Sequence, residues 1–475
     1  MGGNYEKNMF NHLEELIKQV DFLTAEMSAI KARYEKEIDE LKTEVKQLKK
    51  ENETLKQENA KLRDIINKNS GNSSKPPSSD GFNKIHNSRE KTGKRPGGQM
   101  GHKGSIPKLF DSPTRTVELK AGKCKCGGSI KYTDRYTAKQ YVDIEISVDI
   151  TEYREYEGVC NSCRQRIKNR APVNDTITYG NSLKGLSAML TTEGCVSINR
   201  TQQMISELTG GLINLSEGTI AKWNKELAVC VAPAVDKIKE NLLVSPVLHK
   251  DETGVRIEKA THWFHVLSNE TNTLYCSHKK RGNEADREMD VLPSYSGTLV
   301  HDHLKALYDF TCAHSECNAH ILRYLKAAVE GKGRLRARDM IKLLLEAKDG
   351  KEKGKVLSRY DEILEQGRQE FLEDEMPDYN GEDMKLLRRM KKYKQEHLRF
   401  VTDENVPFDN NQAERDLRMI KAKTKISGCF RGENGGNVFA NIKSYTSTLR
   451  KNSRNIFVGI KDAFSFKPVL EFGVE

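Results

Sequence analysis

The chain has 475 residues, of which 36% are hydrophobic and 31% charged, and a formal net charge of +11 at pH 7. A chain of this length accommodates roughly two to four domains with at least one large core. No apolar run approaches the ~20 residues that cross a bilayer, and the charged first residues lack a signal-peptide core. We therefore expect a soluble cytoplasmic protein without a membrane partner, and the positive charge favours a polyanionic partner.

Residues 8–68, within a predicted coiled-coil segment over 1–68, carry a heptad repeat of apolar side chains that is reset once by a four-residue stutter. After the stutter, leucine fills the d positions and asparagine fills two a positions, namely Leu41, Leu48, Leu55 and Leu62 at d and Asn52 and Asn59 at a. Paired asparagines at a satisfy each other in a parallel two-stranded coiled coil. The pattern predicts a homodimer, or a higher oligomer, formed through this segment. The alternative is a single amphipathic helix packed on its own chain.

Residues 69–110 are crowded with Ser, Asn, Gly and Pro, and hold eight basic residues against two acidic ones between positions 70 and 110. Such a composition cannot bury enough apolar surface to fold alone. We interpret the segment as a basic flexible linker that lies along phosphates, with Lys94 and Arg95 as contacts. A solvated spacer is the alternative.

Residues 111–172 contain two close cysteine pairs, Cys124 with Cys126 and Cys160 with Cys163. Between the pairs, apolar residues alternate with polar ones over 142–150, which predicts a half-buried strand. Two thiolate pairs at the ends of paired strands can supply the tetrahedral cage of a structural Zn²⁺. We predict a zinc-ribbon-like DNA-binding domain, with a reduced, metal-free hairpin as the alternative.

Residues 173–240 are predicted to form three helices. The first covers Ser182–Glu193, the second covers Arg200–Leu208 and stops at Gly210 and Gly211, and the third is opened by Ser216. Two short helices joined by a turn with glycine suggest a helix-turn-helix-like module. An ordinary helical packing module is the alternative.

Residues 241–330 change in character and predict a sheet. An apolar run ends at Asp251, two strands meet at a turn over residues 269–272, and after a helix a further buried strand ends at Asp302. Three strands, a crossover and a fourth strand follow the order of a ribonuclease-H-like α/β core. We expect a helical insertion over 331–400, the second part of the core over 401–455 and a tail over 456–475. In the second part, Asn410 or Asn411 caps the helix that carries Glu414.

Three acidic residues from distant positions meet the needs of two-metal phosphoryl transfer, because both Mg²⁺ ions require hard oxygen ligands. Asp251 is placed to bridge the ions, Asp302 to hold one and Glu414 the other. Glu252 adjoins Asp251, but neighbouring strand residues point to opposite faces. A further cluster of ligand-type residues has two open interpretations: Cys312, His314, Cys317 and His320. The four residues form a second metal site, or Cys317 and His320 lie on one face of a helix and His320 packs near the active site.

The segments VLHKDETGVRI, LVHDHLKALYDF with CNAHILRYL, and DNNQAERDLRMIKAKTKISGCF resemble the catalytic segments of the insertion-sequence 66 family of transposases. SSKPPSSD and the cysteine region resemble that family's linker and zinc finger, so the likeness runs from about residue 60 to 455. It implies a multidomain α+β DDE transposase with Asp251, Asp302 and Glu414 as catalytic residues. Two departures are the one-residue gap between Cys124 and Cys126 and His303 in place of glycine.

The resemblance implies catalytic Mg²⁺ or Mn²⁺ and structural Zn²⁺. It also implies cleavage and strand transfer on double-stranded DNA, both element ends and target, near the nucleoid. Whether accessory proteins of the same element take part is left open by the sequence. Four basic residues that follow Glu414 are candidate phosphate contacts: Lys421, Lys423, Lys425 and Arg431. The alternative is a plain solvated face. The competing functions are a catalytically inactive DNA-binding regulator derived from a transposase and a coiled-coil scaffold.

Overall fold

A computed structural model describes residues 3–67 and 108–472, apart from 121, 259, 333, 351–352, 374–380 and 433. Most of the predicted linker, with Lys94 and Arg95, lies outside the described residues. The chain divides into two compact units, Met1–His86 with Arg323–Arg338 and Asn87–Leu322 with Asp339–Glu475. In the described part, no helix is both long and apolar enough to cross a membrane.

Helix α1, Gly3–Asn67, spans 65 residues and confirms the predicted N-terminal helix. Its leucines at the predicted d positions are exposed, with Leu41 at 53% and Leu48 at 55%. An apolar stripe on an otherwise charged helix is typical of a helix that packs against a second helix. Coiled-coil dimerisation therefore stays a prediction.

The cysteine region contains one short antiparallel hairpin, β1 (Glu157–Val159) and β2 (Arg166–Lys168). The predicted strand over 142–150 is wrong, because these residues form no ladder and alternate apolar side chains such as Ile144 and Ile150 are exposed. An alternating pattern becomes a strand only when a partner strand and a covering layer are present.

Four helices follow the hairpin: α2 (Asn181–Thr192), α3 (Ile198–Leu208), α4 (Glu217–Cys230) and α5 (Ala232–Leu243). The side chain of Ser216 accepts a hydrogen bond from the Thr219 amide, so it caps α4 as predicted. The connection from Thr209 to Ser216 is about twice as long as the turn of a helix-turn-helix. The helices are confirmed, but their connection departs from that motif.

A mixed five-stranded sheet forms the centre of the second unit, in the order β5-β4-β3-β6-β7. β3, β4 and β5 are antiparallel, whereas β3, β6 and β7 are parallel. The order is consistent with a ribonuclease-H-like core. The strands are β3 (Val247–Ile257), β4 (Ala260–Ser268), β5 (Thr273–His278), β6 (Thr298–His301) and β7 (Ala313–Glu316).

Two details of the sheet differ from the sequence prediction. β3 does not end at Asp251 but continues to Ile257, because it stays paired with β4 after its parallel pairing with β6 has ended at His249. β7 was not predicted, because its four residues are mostly polar. Their burial is made possible by hydrogen bonds rather than by apolar packing.

The remaining helices include those of the predicted helical insertion and, after it, helices that contact the sheet. A short helix, α6 (Asn283–Glu288), lies between β5 and β6. The insertion and its flanks are α7 (Asn318–Lys332), α8 (Leu335–Lys348), α9 (Lys353–Leu372), α10 (Glu382–Lys392) and α11 (Lys394–Thr402). The C-terminal helices are α12 (Asn411–Ser427), α13 (Gly435–Lys451) and α14 (Ile456–Phe464).

The sheet separates two apolar clusters. Leu248 of β3 packs with residues of α4, α5 and α14, whereas Val255 and Ile257 of β3 pack with residues of α12. α13 approaches β5 closely at its start, where a Cβ atom on Gly436 would lie 2.3 Å from the Ser277 Oγ. The segment predicted as a tail contains α14, whose Ile460 is fully buried.

Candidate active site

Asp251 lies in β3, and Asp302 directly follows β6, the strand that runs parallel beside it. β3 and β6 pair up to His249 and Val300, and each aspartate lies two residues beyond that last pair. Burial, then Glu252 and then Asp302 raise the pKa of Asp251 to about 7, while the Glu252 amide donates a hydrogen bond of 2.8 Å to its Oδ1. Strand register therefore brings two carboxylates close enough to repel each other.

Glu414 lies in the first turn of α12, and Asn410 fastens that turn to the sheet. The Asn410 Nδ2 donates a hydrogen bond of 2.7 Å to the Lys250 carbonyl, and its Oδ1 lies 2.9 Å from the His249 Nδ1. Asp251 also pairs with Val266, which belongs to the cluster packed against α12. Glu414 and Asp251 are thus held on the same side of the sheet.

Lys250 and Glu252 lie on the opposite face of β3 from Asp251, as predicted for Glu252. The Glu252 carboxylate is 2.8 Å from the Arg281 guanidinium, and the buried Lys250 ammonium is 3.2 Å from Asp286. Burial lowers the pKa of Lys250, but the charges of Asp286 and Glu252 raise it by more. The pKa therefore lies above its ordinary value, and the lysine stays charged. These groups form a buried ion-pair network behind the aspartates.

Glu316, at the end of β7, is a buried carboxylate that sequence reasoning missed. Its Oε1 accepts a 2.6 Å hydrogen bond from the Tyr308 hydroxyl and lies 2.6 Å from the His303 Nδ1. Its Oε2 accepts from the Arg389 Nε of α10, at 3.1 Å, and lies 3.0 Å from the His397 Nε2 of α11. One carboxylate therefore ties the loop after Asp302 to the helical insertion.

The partners of Glu316 also set its charge. Burial alone would raise the pKa of this carboxyl, but hydrogen bonds from His303 and His397 and the charge of Arg389 hold it well below its usual range. The network continues through the Tyr360 hydroxyl, 2.9 Å from the His397 Nδ1. No local sequence pattern indicates this network, since Glu316 and its partner His397 are 81 residues apart.

His301 precedes Asp302 and supports its main chain. Its Nδ1 contacts the Asp302 carbonyl, and its Nε2 lies 3.1 Å from the His314 Nδ1. Burial lowers the pKa of His301 to about 3, so it is neutral at physiological pH. His314 in turn contacts the Phe310 carbonyl, so it serves this loop rather than a metal cluster.

A different group of ligand-type side chains surrounds Glu414. Among the described residues, the group whose ligand atoms all lie within 4.8 Å of one another is Cys317, His320 and Glu414, and it excludes Asp251 and Asp302. Cys317 is buried and His320 is half-buried. From the sequence, Cys317 and His320 are grouped with Cys312 and His314. In the structure, their ligand atoms lie close to Glu414 instead.

The predicted basic contacts divide into two kinds. The Lys423 ammonium donates hydrogen bonds to the Thr191 carbonyl, at 3.0 Å, and the Val196 carbonyl, at 3.2 Å. It therefore packs α12 against the end of α2. The exposed basic residues are Lys421, Lys425 and Arg431, joined on α12 by two that were not predicted, Arg415 and Arg418. Their three- and four-residue spacing was the signal that could have found them.

The four predicted zinc ligands form two separate pairs. The sulfur atoms of Cys124 and Cys126 are 3.2 Å apart, and Cys160 and Cys163 occupy the turn between β1 and β2. A hydrogen bond from the Gly128 main chain lowers the pKa of Cys126, and one from the Cys163 main chain lowers that of Cys160. Each pair has the chemistry of half a zinc site, but no three of these cysteines share one 4.8 Å cluster.

Comparison with known proteins finds two family profiles that match parts of the chain. The profile described as Transposase IS66 family matches residues 178–438, more than half of the chain, including all three predicted catalytic carboxylates. A family of unknown function (DUF6444) matches residues 29–107, which include the second half of α1. No curated protein matches the chain.

Proposed function

The chain belongs to the Transposase IS66 family, and from that premise we propose that it cleaves the ends of an insertion sequence and joins them to target DNA. Asp251, Asp302 and Glu414 are the proposed catalytic carboxylates. The observation that carries the proposal is the parallel register of β3 and β6, which sets Asp251 beside Asp302. In this register, both aspartates lie on the face of the sheet that α12 covers.

The carboxylates fit a pair of hard divalent cations. Burial, then Glu252 and then Asp302 raise the pKa of Asp251, and a cation held between Asp251 and Asp302 would remove the repulsion between those two. Mg²⁺ or Mn²⁺, when bound, would polarise the phosphate and activate the attacking oxygen. Asp251 and Asp302 would hold the cations from the sheet and Glu414 from α12.

The protein residues around the carboxylates orient them. Asn410 joins the start of α12 to the Lys250 carbonyl, which is one residue from Asp251. His301 supports the main chain at Asp302, and Glu316 holds the following loop through His303 and Tyr308. Positioning of this kind is the main contribution that a protein makes to phosphoryl transfer.

The exposed basic face of α12 suits the phosphate backbone of double-stranded DNA, because it begins directly beside Glu414. We propose that Arg415, Arg418, Lys421 and Lys425 contact phosphates on this face, with Arg431 beyond its end. Lys94 and Arg95 remain proposed contacts in the linker. Lys423 is assigned to helix packing, because its ammonium is already bound by main-chain carbonyls.

The N-terminal regions would assemble the complex. We propose that α1 pairs with a second copy through its exposed leucines, and that the cysteine pairs bind one structural Zn²⁺ once they are brought together. Accessory proteins of the same element would act with this assembly in the cytoplasm. Zinc analysis of the full chain tests the metal assignment: the double variant Cys160→Ser and Cys163→Ser loses the ion, whereas Cys429→Ser keeps it.

The proposed activity is tested by incubating the full chain with Mg²⁺ and DNA that carries the ends of its own element. We expect cleaved ends and joined products that depend on Mg²⁺, and binding that weakens steeply as salt is raised. Binding without any cleavage would instead identify a DNA-binding regulator. Absence of salt-sensitive binding would favour the coiled-coil scaffold.

A further inference from the structure

The starts of two helices meet around the Cys317 side chain. Cys317 lies between β7 and α7, and its amide donates a hydrogen bond of 2.9 Å to the His301 carbonyl. The Asn410 amide, at the start of α12, donates a hydrogen bond of 3.2 Å to the Cys317 Sγ. His320 follows in the first turn of α7, and Glu414 lies in the first turn of α12. Sheet and helices therefore fix the main chain of all three residues.

The three side chains offer one sulfur, one nitrogen and one oxygen within 4.8 Å of one another. Ligand atoms in a tetrahedral zinc site lie roughly 3–4 Å apart, so small side-chain rotations would suffice. Cysteine and histidine favour borderline cations such as Zn²⁺, whereas Mg²⁺ takes oxygen ligands almost exclusively. The donor set therefore differs in kind from the carboxylates of Asp251 and Asp302.

We propose that Cys317, His320 and Glu414 form a binding site for Zn²⁺ or a similar borderline divalent cation, which inhibits the enzyme. The inhibition follows from a shared ligand and rests on the proposed catalytic role of Glu414. A cation held by Cys317 and His320 keeps the Glu414 carboxylate on their side, away from Asp251 and Asp302. A water molecule can complete the coordination of the ion, since His320 and Glu414 are half-buried rather than enclosed.

Cobalt binding tests the site without reference to activity. Co²⁺ is titrated into the full chain, and the thiolate-to-cobalt charge-transfer absorption is followed in wild type, Cys317→Ser and Cys429→Ser. We expect Cys317→Ser to bind one Co²⁺ fewer per chain than wild type, and Cys429→Ser, which changes an exposed cysteine, to match wild type. Equal thiolate absorption and stoichiometry in wild type and Cys317→Ser would overturn the proposal.

A second variant covers the case in which Cys317→Ser does not fold. His320→Ala keeps the thiol and loses the nitrogen ligand, so Co²⁺ affinity at this site should fall about tenfold or more, the scale of a lost metal ligand or its support. Unchanged affinity would contradict the site.

Inhibition is then measured at fixed Mg²⁺ on element-end DNA. Zn²⁺ in about tenfold molar excess over protein should lower wild-type cleavage at least tenfold, and His320→Ala should show less than a twofold drop from its own zinc-free rate. Equal inhibition of both proteins would overturn the inhibitory role. Absence of cleavage without zinc would instead count against the proposed function, while the cobalt result would still decide the metal site.

Discussion

The side chain of Asn410 donates a hydrogen bond of 2.7 Å to the main-chain carbonyl of Lys250, so the helix of one proposed catalytic residue is joined to the strand of another. Replacing Asn410 with Ala removes this bond and the contact with His249. We expect cleavage to fall roughly ten- to a hundredfold, because small misplacements of reacting groups are costly. The free energy of unfolding should drop by about 1–2 kcal/mol.

The matched control is Asn411→Ala, which changes an exposed neighbour on the same turn. It should keep both stability and cleavage close to wild type. If Asn410→Ala cleaves at the wild-type rate, the hydrogen bond does not position Glu414.

The raised pKa of Asp251 predicts a pH dependence of metal binding. Burial and the neighbouring carboxylates keep this group protonated up to about pH 7, and only the charged form binds a cation well. Mn²⁺ affinity, measured by calorimetry, should therefore rise as pH increases from 6 to 8 and then level off. An affinity that is flat over this range would contradict the coupling of Asp251 to its neighbours.

The same pKa predicts an effect on stability with the opposite sign. Because the folded-state pKa lies above the ordinary value of 3.8 for an aspartate, the folded state binds more protons, and stability falls as pH rises from about 4 to 7. Without metal, Asp251→Asn should remove this slope and raise the free energy of unfolding above pH 7 by roughly 1–3 kcal/mol. Denaturant unfolding at pH 5 and pH 8 measures the difference between the two proteins.

Glu316→Gln tests whether one buried carboxylate holds the loop after Asp302 and the helical insertion together. The amide leaves the buried His397 and the Arg389 guanidinium without their anion. Removing one partner of a buried ion pair typically costs about 3–5 kcal/mol, so we expect a loss of this order and faster proteolysis within the insertion. Glu365→Gln is the control, since it breaks an exposed ion pair on α9. Equal stability of the two variants would show that the Glu316 network does not hold the insertion.

The exposed seam of α1 predicts oligomerisation. Substituting Leu48 and Leu55 with Glu places charges in the centre of the proposed interface, where each leucine contributes about 1.5–3 kcal/mol when buried. Light scattering should show the mass of a dimer, or larger species, falling toward that of one chain. Lys50→Glu with Gln57→Glu, both on the outer f positions of the heptad, serves as a matched control away from the seam and should keep the assembly. An unchanged mass for the leucine variant would argue against the coiled coil.

Sequence reasoning recovered the elements whose patterns are local. The heptads gave α1, the Ser216 cap gave the start of α4, and the order of apolar runs gave β3 to β6. The strand predicted over 142–150 failed because alternation describes a half-buried strand only when a covering layer exists. The apolar pattern alone could not reveal that, in the described part of the fold, no layer covers residues 142–150.

The parts of the site that were missed depend on contacts between distant residues. Glu316 meets Arg389 and His397 across the helical insertion, and Asn410 meets Lys250 across 160 residues. Nothing in the local sequence around Glu316 distinguishes it from the other acidic residues of the chain. The sequence did place Asp251 and Asp302 on neighbouring strands, because buried strands and their order are encoded by apolar runs.

The central claim, that Asp251, Asp302 and Glu414 carry out the chemistry, is tested by Mg²⁺-dependent cleavage of element-end DNA with Asp251→Asn, Asp302→Asn and Glu414→Gln. An amide oxygen is a much weaker ligand for a hard dication, so each variant should lose cleavage by several orders of magnitude while its DNA binding persists. Two controls accompany them. Asp462→Asn, an exposed change on α14, should match wild type, and Glu252→Gln should lose stability but keep most of its cleavage per folded molecule. Wild-type cleavage by any of the three carboxylate variants would contradict the assignment of that residue, and cleavage by all three would contradict the mechanism.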